Sequence, residues 1–401
     1  MRSLGLFLAG ILTLAACAKD PDYVTGTGGM GGMAGSSNGG GGATGTGGSY
    51  TPPALKLSHP NPIISRNAQV FSSPAGGTAV VNGQYHNGGW NAGSPTTAAP
   101  AWVAIKLTAG PTRILVSWDD GGTYDYKDPA GTPVYGLAAD YHFEVSADST
   151  NGMDGTWTAV GTAVTGNHVR TRAHALDFTG KSWIKMVITA APAEASNGVQ
   201  IGEIDVHDIS ATGADLPDDT WFFMGDSITA FAYDRVYANT FADLINAATA
   251  KTYFPAMING GIGGELTSGG LARLDEALAL NPDYRFFAIT YGTNDSWGNK
   301  TDTSAFRSNL QMMIDKIKAA GRTPVLSHVP YSADNNHNTL AQFNAVVDDL
   351  TRTNQLQVGP DFTTWFMEHT DQLQDDKVHP APAGRVAMNK LWADAMRVVY
   401  P

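Results

Sequence analysis

At 401 residues the chain is long enough for two domains with additional segments. Its 25 Lys and Arg residues form no basic block, and the formal net charge is −12, which argues against binding along a nucleic-acid backbone. The single cysteine excludes an intrachain disulfide, so the fold must rest on its own apolar cores.

Behind Arg2, residues 4–14 form an apolar run too short to span a bilayer, ending in Leu14-Ala15-Ala16-Cys17. This stretch resembles a bacterial lipoprotein signal. The resemblance implies that residues 1–17 direct export, that Cys17 is lipidated, and that the membrane is met only through that lipid. With no Asp beside Cys17, an outer-membrane or surface location is expected. The plainer alternative is a secretory signal with an incidental cysteine. Residues 18–53, dominated by Gly, Ser, Thr, Ala and Met from Gly26 to Gly48, cannot bury enough apolar surface to fold and read as a flexible tether.

Residues 54–210 read as an all-β domain. Alternating runs at 102–107, 113–118, 141–146, 183–188 and 199–206 are separated by turns rich in Gly, Asn, Asp and Pro. Asn82-Gly83 before Trp90, the run from Ala101 to Leu107, the run from Tyr141 to Ser149, Trp157, and the closing Ile201-Gly202-Glu203-Ile204 resemble the discoidin-like, or galactose-binding-like, jelly-roll family. That resemblance implies a carbohydrate-binding module. Its loop-near candidates for sugar contact are Tyr85, His86, Trp90, Trp118 and Tyr124, with core packing as the competing role for each tryptophan. Asp119, Asp120, Asp125 and Asp128 are candidate ligands for a structural Ca2+, with an ordinary acidic turn as the alternative.

Residues 211–220 form a polar, Pro-containing junction. From Trp221 onward the pattern changes to strands at 221–224, 253–258, 284–291 and 323–329, alternating with helices at 239–248, 266–280, 304–320 and 340–350. A short strand at 356–358 and a last helix at 382–399 follow. This alternation predicts βαβ units and a parallel sheet between helical layers, a three-layer α/β domain over 221–401.

Polar loops gather at the strand ends: Gly225-Asp226-Ser227, Asn259 to Glu265, Gly292-Thr293-Asn294-Asp295, and Asp376-Lys377-Val378-His379. In a parallel sheet the βα loops open on one edge, so groups distant in sequence can meet there. Together these loops resemble the four blocks of the SGNH hydrolases, also called GDSL esterases and lipases, with a flavodoxin-like fold. The departures are Glu265 where Asp is commoner and Thr293 where a second Gly may stand. The resemblance implies Ser227 as nucleophile, His379 as base and Asp376 as its orienting partner. It also implies an oxyanion hole from the Ser227 and Gly264 N–H groups and the Asn294 side chain. Asp226 and Asp295 are expected to hold loops together. Trp297, Trp365 and His328 are candidates to line the substrate site. No cofactor is expected for catalysis, and no His/Cys cluster has metal-ligand spacing. The expected substrate is an O-acetylated polysaccharide, or alternatively a small acyl ester. An inactive polysaccharide-binding surface protein is the non-enzymatic rival. No obligate protein partner is expected.

Overall fold

A computed structural model describes residues 50–84, 89–107, 110–119, 136–192, 198–233 and 240–401. The signal, Cys17, most of the tether, Tyr85, His86, Tyr124, Asp120, Asp125 and Asp128 lie outside the described residues.

The first domain is β-rich. Its strands are β1 (Gln69–Ser73), β2 (Trp90–Gly93), β3 (Ala101–Lys106), β4 (Arg113–Asp119), β5 (Asp140–Ser146), β6 (Thr158–Val164), β7 (Thr171–Asp177), β8 (Trp183–Ala190), β9 (Val199–Ile201) and β10 (Glu203–Asp208). A five-stranded sheet in the order β1-β3-β8-β5-β6 and a three-stranded sheet in the order β10-β4-β7 share one core, and every pairing in them is antiparallel. The run 199–206 reads as one strand in the sequence. At Gly202 it divides into β9, which pairs with β2, and β10, which pairs with β4. Burial along β4 does not alternate, because both of its faces are covered. Ile114, Val116 and Trp118 enter the β-domain core, whereas Leu115 packs with Ala173 against the second domain.

The sugar-contact candidates Trp90 and Trp118 are corrected by this packing. Each is 1% exposed and belongs to that core. Trp118 meets Tyr141 edge to face at 5.3 Å, and the Trp90 indole donates to the Pro74 carbonyl. A ring enclosed in this way offers no face to a sugar.

The second domain follows as β11 (Thr220–Gly225), α1 (Ser227–Ala232), α2 (Phe241–Ala248), β12 (Ala256–Gly261), α3 (Thr267–Leu280), β13 (Phe286–Thr290), α4 (Thr293–Ser296), α5 (Thr303–Ala319), β14 (Thr323–Leu326), α6 (Leu340–Thr353), α7 (Phe362–Glu368) and α8 (Pro382–Met396). The four strands pair in parallel in the order β12-β11-β13-β14. Residues 356–358 contribute only an isolated bridge, Val358 to Leu326. In β11, Trp221 and Phe223 enter one apolar core while Phe222 and Met224 enter another. The strand is thus buried on both faces, and each such side chain contributes about 1.5–3 kcal/mol.

β11 is the switch point of the sheet. The chain leaves it for β12 on one side, and β13 lies on the other. Ligands of open α/β sheets bind outside the carboxyl ends of the strands at such a point. Gly225 ends the strand there because an added Cβ would lie 2.1 Å from Thr229 Oγ1 and 2.3 Å from the Thr290 carbonyl. Among the described residues, no helix is long and apolar enough to cross a membrane.

Candidate active site

Register explains how the loops converge. Gly225 pairs with Gly261 of β12 and with Thr290 of β13, so the residues that follow all three strands emerge together. Asp226 caps α1, its side chain accepting from Ile228 N–H, and Ser227 is the first residue of that helix. The Ser227 and Gly264 N–H groups have no hydrogen-bond partner among the described residues.

Ser227 Oγ lies 2.8 Å from His379 Nε2, and His379 Nδ1 lies 2.6 Å from Asp376 Oδ2. The same aspartate binds its own turn, with Oδ1 accepting from Val378 N–H at 2.9 Å and His379 N–H at 3.0 Å. Lys377 adopts φ +63°, which lets four residues close that turn. Its carbonyl accepts from Ala333 N–H, and Gln374 N–H donates to the His379 carbonyl. Burial pushes the Asp376 carboxyl up, but the His379 bond and the two N–H donors outweigh it and leave the group below the usual carboxylate value. Asp376 is therefore ionised where His379 needs a negative partner. Phe231 of α1 meets the imidazole edge on at 5.3 Å, and the Arg385 guanidinium of α8 lies 4.8 Å from that phenyl ring.

Asn294 donates through Nδ2 to Asp226 Oδ2 at 3.2 Å and to the Glu265 carbonyl at 3.3 Å. Both bonds are long. Asp226 is fully enclosed. Burial pushes its carboxyl up to about 7, with Asp295 and Glu265 adding to the rise and the Ile228 and Asn294 donors opposing it. Asp295 Oδ1 accepts from Thr267 Oγ1 at 2.6 Å and Oδ2 from Thr267 N–H at 3.1 Å, tying the β13 loop to the start of α3.

Gly264 needs its glycine for a reason other than crowding. Nothing lies within 4 Å of an added Cβ, but its φ is +74°. Behind it stands a network that the sequence reading missed. Glu265 binds Arg273 of α3 through Nε at 2.9 Å and Nη2 at 2.8 Å, and it accepts from the Tyr291 hydroxyl. Arg273 Nη2 also donates to the Gly260 carbonyl at 2.7 Å. The available signal was an arginine eight residues after the loop acid, inside an otherwise apolar helix stripe.

The outlying candidates separate. Trp297, three residues after Asn294, is 42% exposed, with the Lys300 ammonium 4.7 Å from its ring. Trp365 lies on α7, one face covered by His369 at 4.0 Å, its indole donating to Gln372. His328 binds Asp348 at 2.8 Å and Asp361 at 2.9 Å, lining a cavity that includes none of Ser227, His379 or Asp376. These bonds join the loop after β14 to α6 and to the start of α7. No group of three or more metal-ligating side chains occurs among the described residues.

Residues 223–387, from β11 into α8, match the GDSL-like Lipase/Acylhydrolase family, and the fold of this domain is that of the GDSL/SGNH esterases and lipases. An arylesterase from Vibrio mimicus is 28% identical over 161 residues, 40% of this chain and 78% of that protein. Among solved structures, a lipase/acylhydrolase from Enterococcus faecalis is 24% identical, covering 44% of this chain and 95% of that one at a TM-score of 0.38. An acetylxylan esterase from Geobacillus stearothermophilus is 20% identical, covering 45% of this chain and 94% of that one at a TM-score of 0.37.

Proposed function

We propose that the α/β domain is a serine esterase working through an acyl-enzyme, with Ser227, His379 and Asp376 as its triad. The observation that carries this reading is the continuous pair of short contacts from Ser227 Oγ to His379 and from His379 to Asp376. Ser227 Oγ attacks the ester carbonyl carbon while its proton passes to His379 Nε2. Asp376 holds the imidazole through Nδ1 and stabilises the imidazolium. The carbonyl electrons move onto oxygen, where the Ser227 and Gly264 N–H groups and Asn294 Nδ2 donate to the negative charge. The two long bonds that hold the Asn294 amide in the free protein are weak enough to yield to so strong an acceptor. Collapse expels the alcohol, which takes the proton from His379. Water, deprotonated by the same imidazole, then releases the acid and restores Ser227.

For substrate we infer O-acetyl groups on a polysaccharide. The lipoprotein-like leader and the tether support a location outside the cell, where a polymer is met. The β-rich domain, read as a discoidin-like jelly-roll module, is of a kind that holds sugars. Trp297 adds an exposed ring three residues from Asn294. The arylesterase relative favours a second reading, hydrolysis of small acyl or aryl esters. Acetate release across acetylated glycans, alongside 4-nitrophenyl acetate, separates the two. Ser227→Ala is expected to reduce all of these reactions to background, and unchanged release by that variant refutes the mechanism.

A further inference from the structure

A cavity of about 500 Å³ opens where the β-rich domain meets the far end of α3. Its walls come from β6 and the residue after it (Thr162, Thr165), from β7 (Arg172, His174), and from the α3–β13 connection (Leu280, Asp283). That connection leads into the amino end of β13, the edge of the sheet opposite Ser227.

Arg172 and His174 stand two residues apart on β7, so their side chains leave the same face of the strand. Arg172 Nη2 reaches the Leu280 carbonyl at only 3.4 Å, its Nε–H is buried without a partner, and no carboxylate lies within ion-pair distance of it among the described residues. Buried charges in proteins are normally paired. In a chain of net charge −12, a guanidinium that lines a cavity with no ion-pair partner among the described residues stands out.

The neighbouring groups set the tautomer of His174. Burial pushes the Tyr141 hydroxyl up to about 12, so it keeps its proton, and burial together with Arg172 pushes His174 down to about 3, so it is neutral. Tyr141 Oη lies 2.9 Å from His174 Nε2 with the Arg172 guanidinium beside it. We assign the phenol as donor to Nε2, which places the imidazole proton on Nδ1, an atom with no hydrogen-bond partner among the described residues. The cavity thus offers a guanidinium edge and an imidazole N–H, a donor pair suited to a carboxylate. Asp283 Oδ2 accepts from Ala175 N–H at 2.9 Å, leaving the other oxygen to accept from a sugar hydroxyl. Thr162 and Thr165 also line the wall.

We propose that this cavity is a second binding site, separate from the catalytic one, for a uronic acid residue. The carboxylate would lie on Arg172 and His174 and the ring hydroxyls on Asp283 and the threonines. The volume suits one or two sugar rings. The site would hold an acidic stretch of polymer while Ser227 works on another.

The test is calorimetric titration of the full chain with glucuronate and galacturonate, with glucose, galactose and phosphate as comparison probes. The uronates are expected to bind and the neutral sugars to bind at least about tenfold more weakly, the loss expected when a charge-assisted bidentate contact is absent. Arg172→Gln should weaken uronate binding by a similar factor while hydrolysis of 4-nitrophenyl acetate stays unchanged. Thr162→Trp, which fills the cavity and keeps Arg172, should do the same and guards against a folding defect in the first variant. Equal binding of uronate and neutral sugar, no uronate binding, or undiminished binding by both variants overturns the proposal. Phosphate binding as tightly as uronate overturns the sugar assignment.

Discussion

At the scale of residues, the candidate site separates groups proposed to react from groups that hold them. Asp226, just before Ser227, and Asp376, bound to His379, are both aspartates of the site, and their surroundings drive their pKa values apart. Asp376 keeps its charge through three donors, whereas enclosed Asp226 is pushed up to about 7. The first can stabilise an imidazolium, and the second serves by anchoring the Asn294 amide. Asn294→Ala removes the side-chain donor that the proposed mechanism aims at the oxyanion. The expected effect is a fall in kcat of about 10²–10³-fold with KM nearly unchanged, because the contact strengthens only in the transition state. Steady-state kinetics on 4-nitrophenyl acetate check this, and a rise in KM at constant kcat would assign Asn294 to ground-state binding instead.

At the scale of elements, His328 fastens the loop after β14 to α6 through Asp348 and to the cap of α7 through Asp361. Burial pushes its pKa down, but hydrogen bonds and charge attraction from the two aspartates outweigh it and raise the group to about 9. A histidine raised in the folded state contributes stability that is fully present below its unfolded value, near 6.5, and is lost as pH rises through about 9. The Tm gap between the native protein and His328→Gln is therefore expected to be widest near pH 6 and to close by about pH 10. Thermal melts across that range check the sign, and a gap that widens with pH contradicts it. Both aspartates are substantially exposed, so salt should also narrow the gap.

At the scale of the whole molecule, Tyr50–Pro401 forms one compact unit, and the segment leading into the β-rich domain first crosses the α/β domain. Leu57 N–H donates to the Val399 carbonyl at 2.7 Å, Lys56 Nζ to the Tyr400 carbonyl at 2.8 Å, and Asn61 Nδ2 to the Phe254 carbonyl at 2.9 Å. Leu57 is buried with Trp221 and Tyr253. From Pro62 onward the segment pairs with β10, with Asp208 N–H donating to the Pro62 carbonyl and Ile64 N–H to the Val206 carbonyl. A fragment of residues 211–401 therefore lacks part of its own core. Loss of Leu57 alone costs about 2–5 kcal/mol by analogy with large-to-small core substitutions. The fragment is expected to unfold at a clearly lower urea concentration than residues 50–401, and equal midpoints would show that the strap adds no stability. Comparing the activities of the two chains tests the role of the β-rich domain only once this difference is controlled.

What the sequence determined by itself was the change from an all-β to an alternating β/α pattern, the longer helices of the second domain and the polar loops at its strand ends. Apolar alternation and helical periodicity are local, and the strands and helices at 221–224, 266–280 and 304–320 lie within a residue or two of those observed. The helices α1, α4 and α7 escaped notice because four to seven residues are too few to display a period. Tertiary structure alone decided which aromatic rings face solvent. Trp90, Trp118 and Trp297 all stand near strand ends or loops in the sequence, yet two are enclosed and one is open, since burial depends on what crosses over a ring from distant parts of the chain. The same holds for charge. Arg273, bound by the loop acid, and Arg172, facing a cavity, are indistinguishable by composition, and only the folded chain brings Glu265 to one and leaves the other without a carboxylate in ion-pair distance among the described residues.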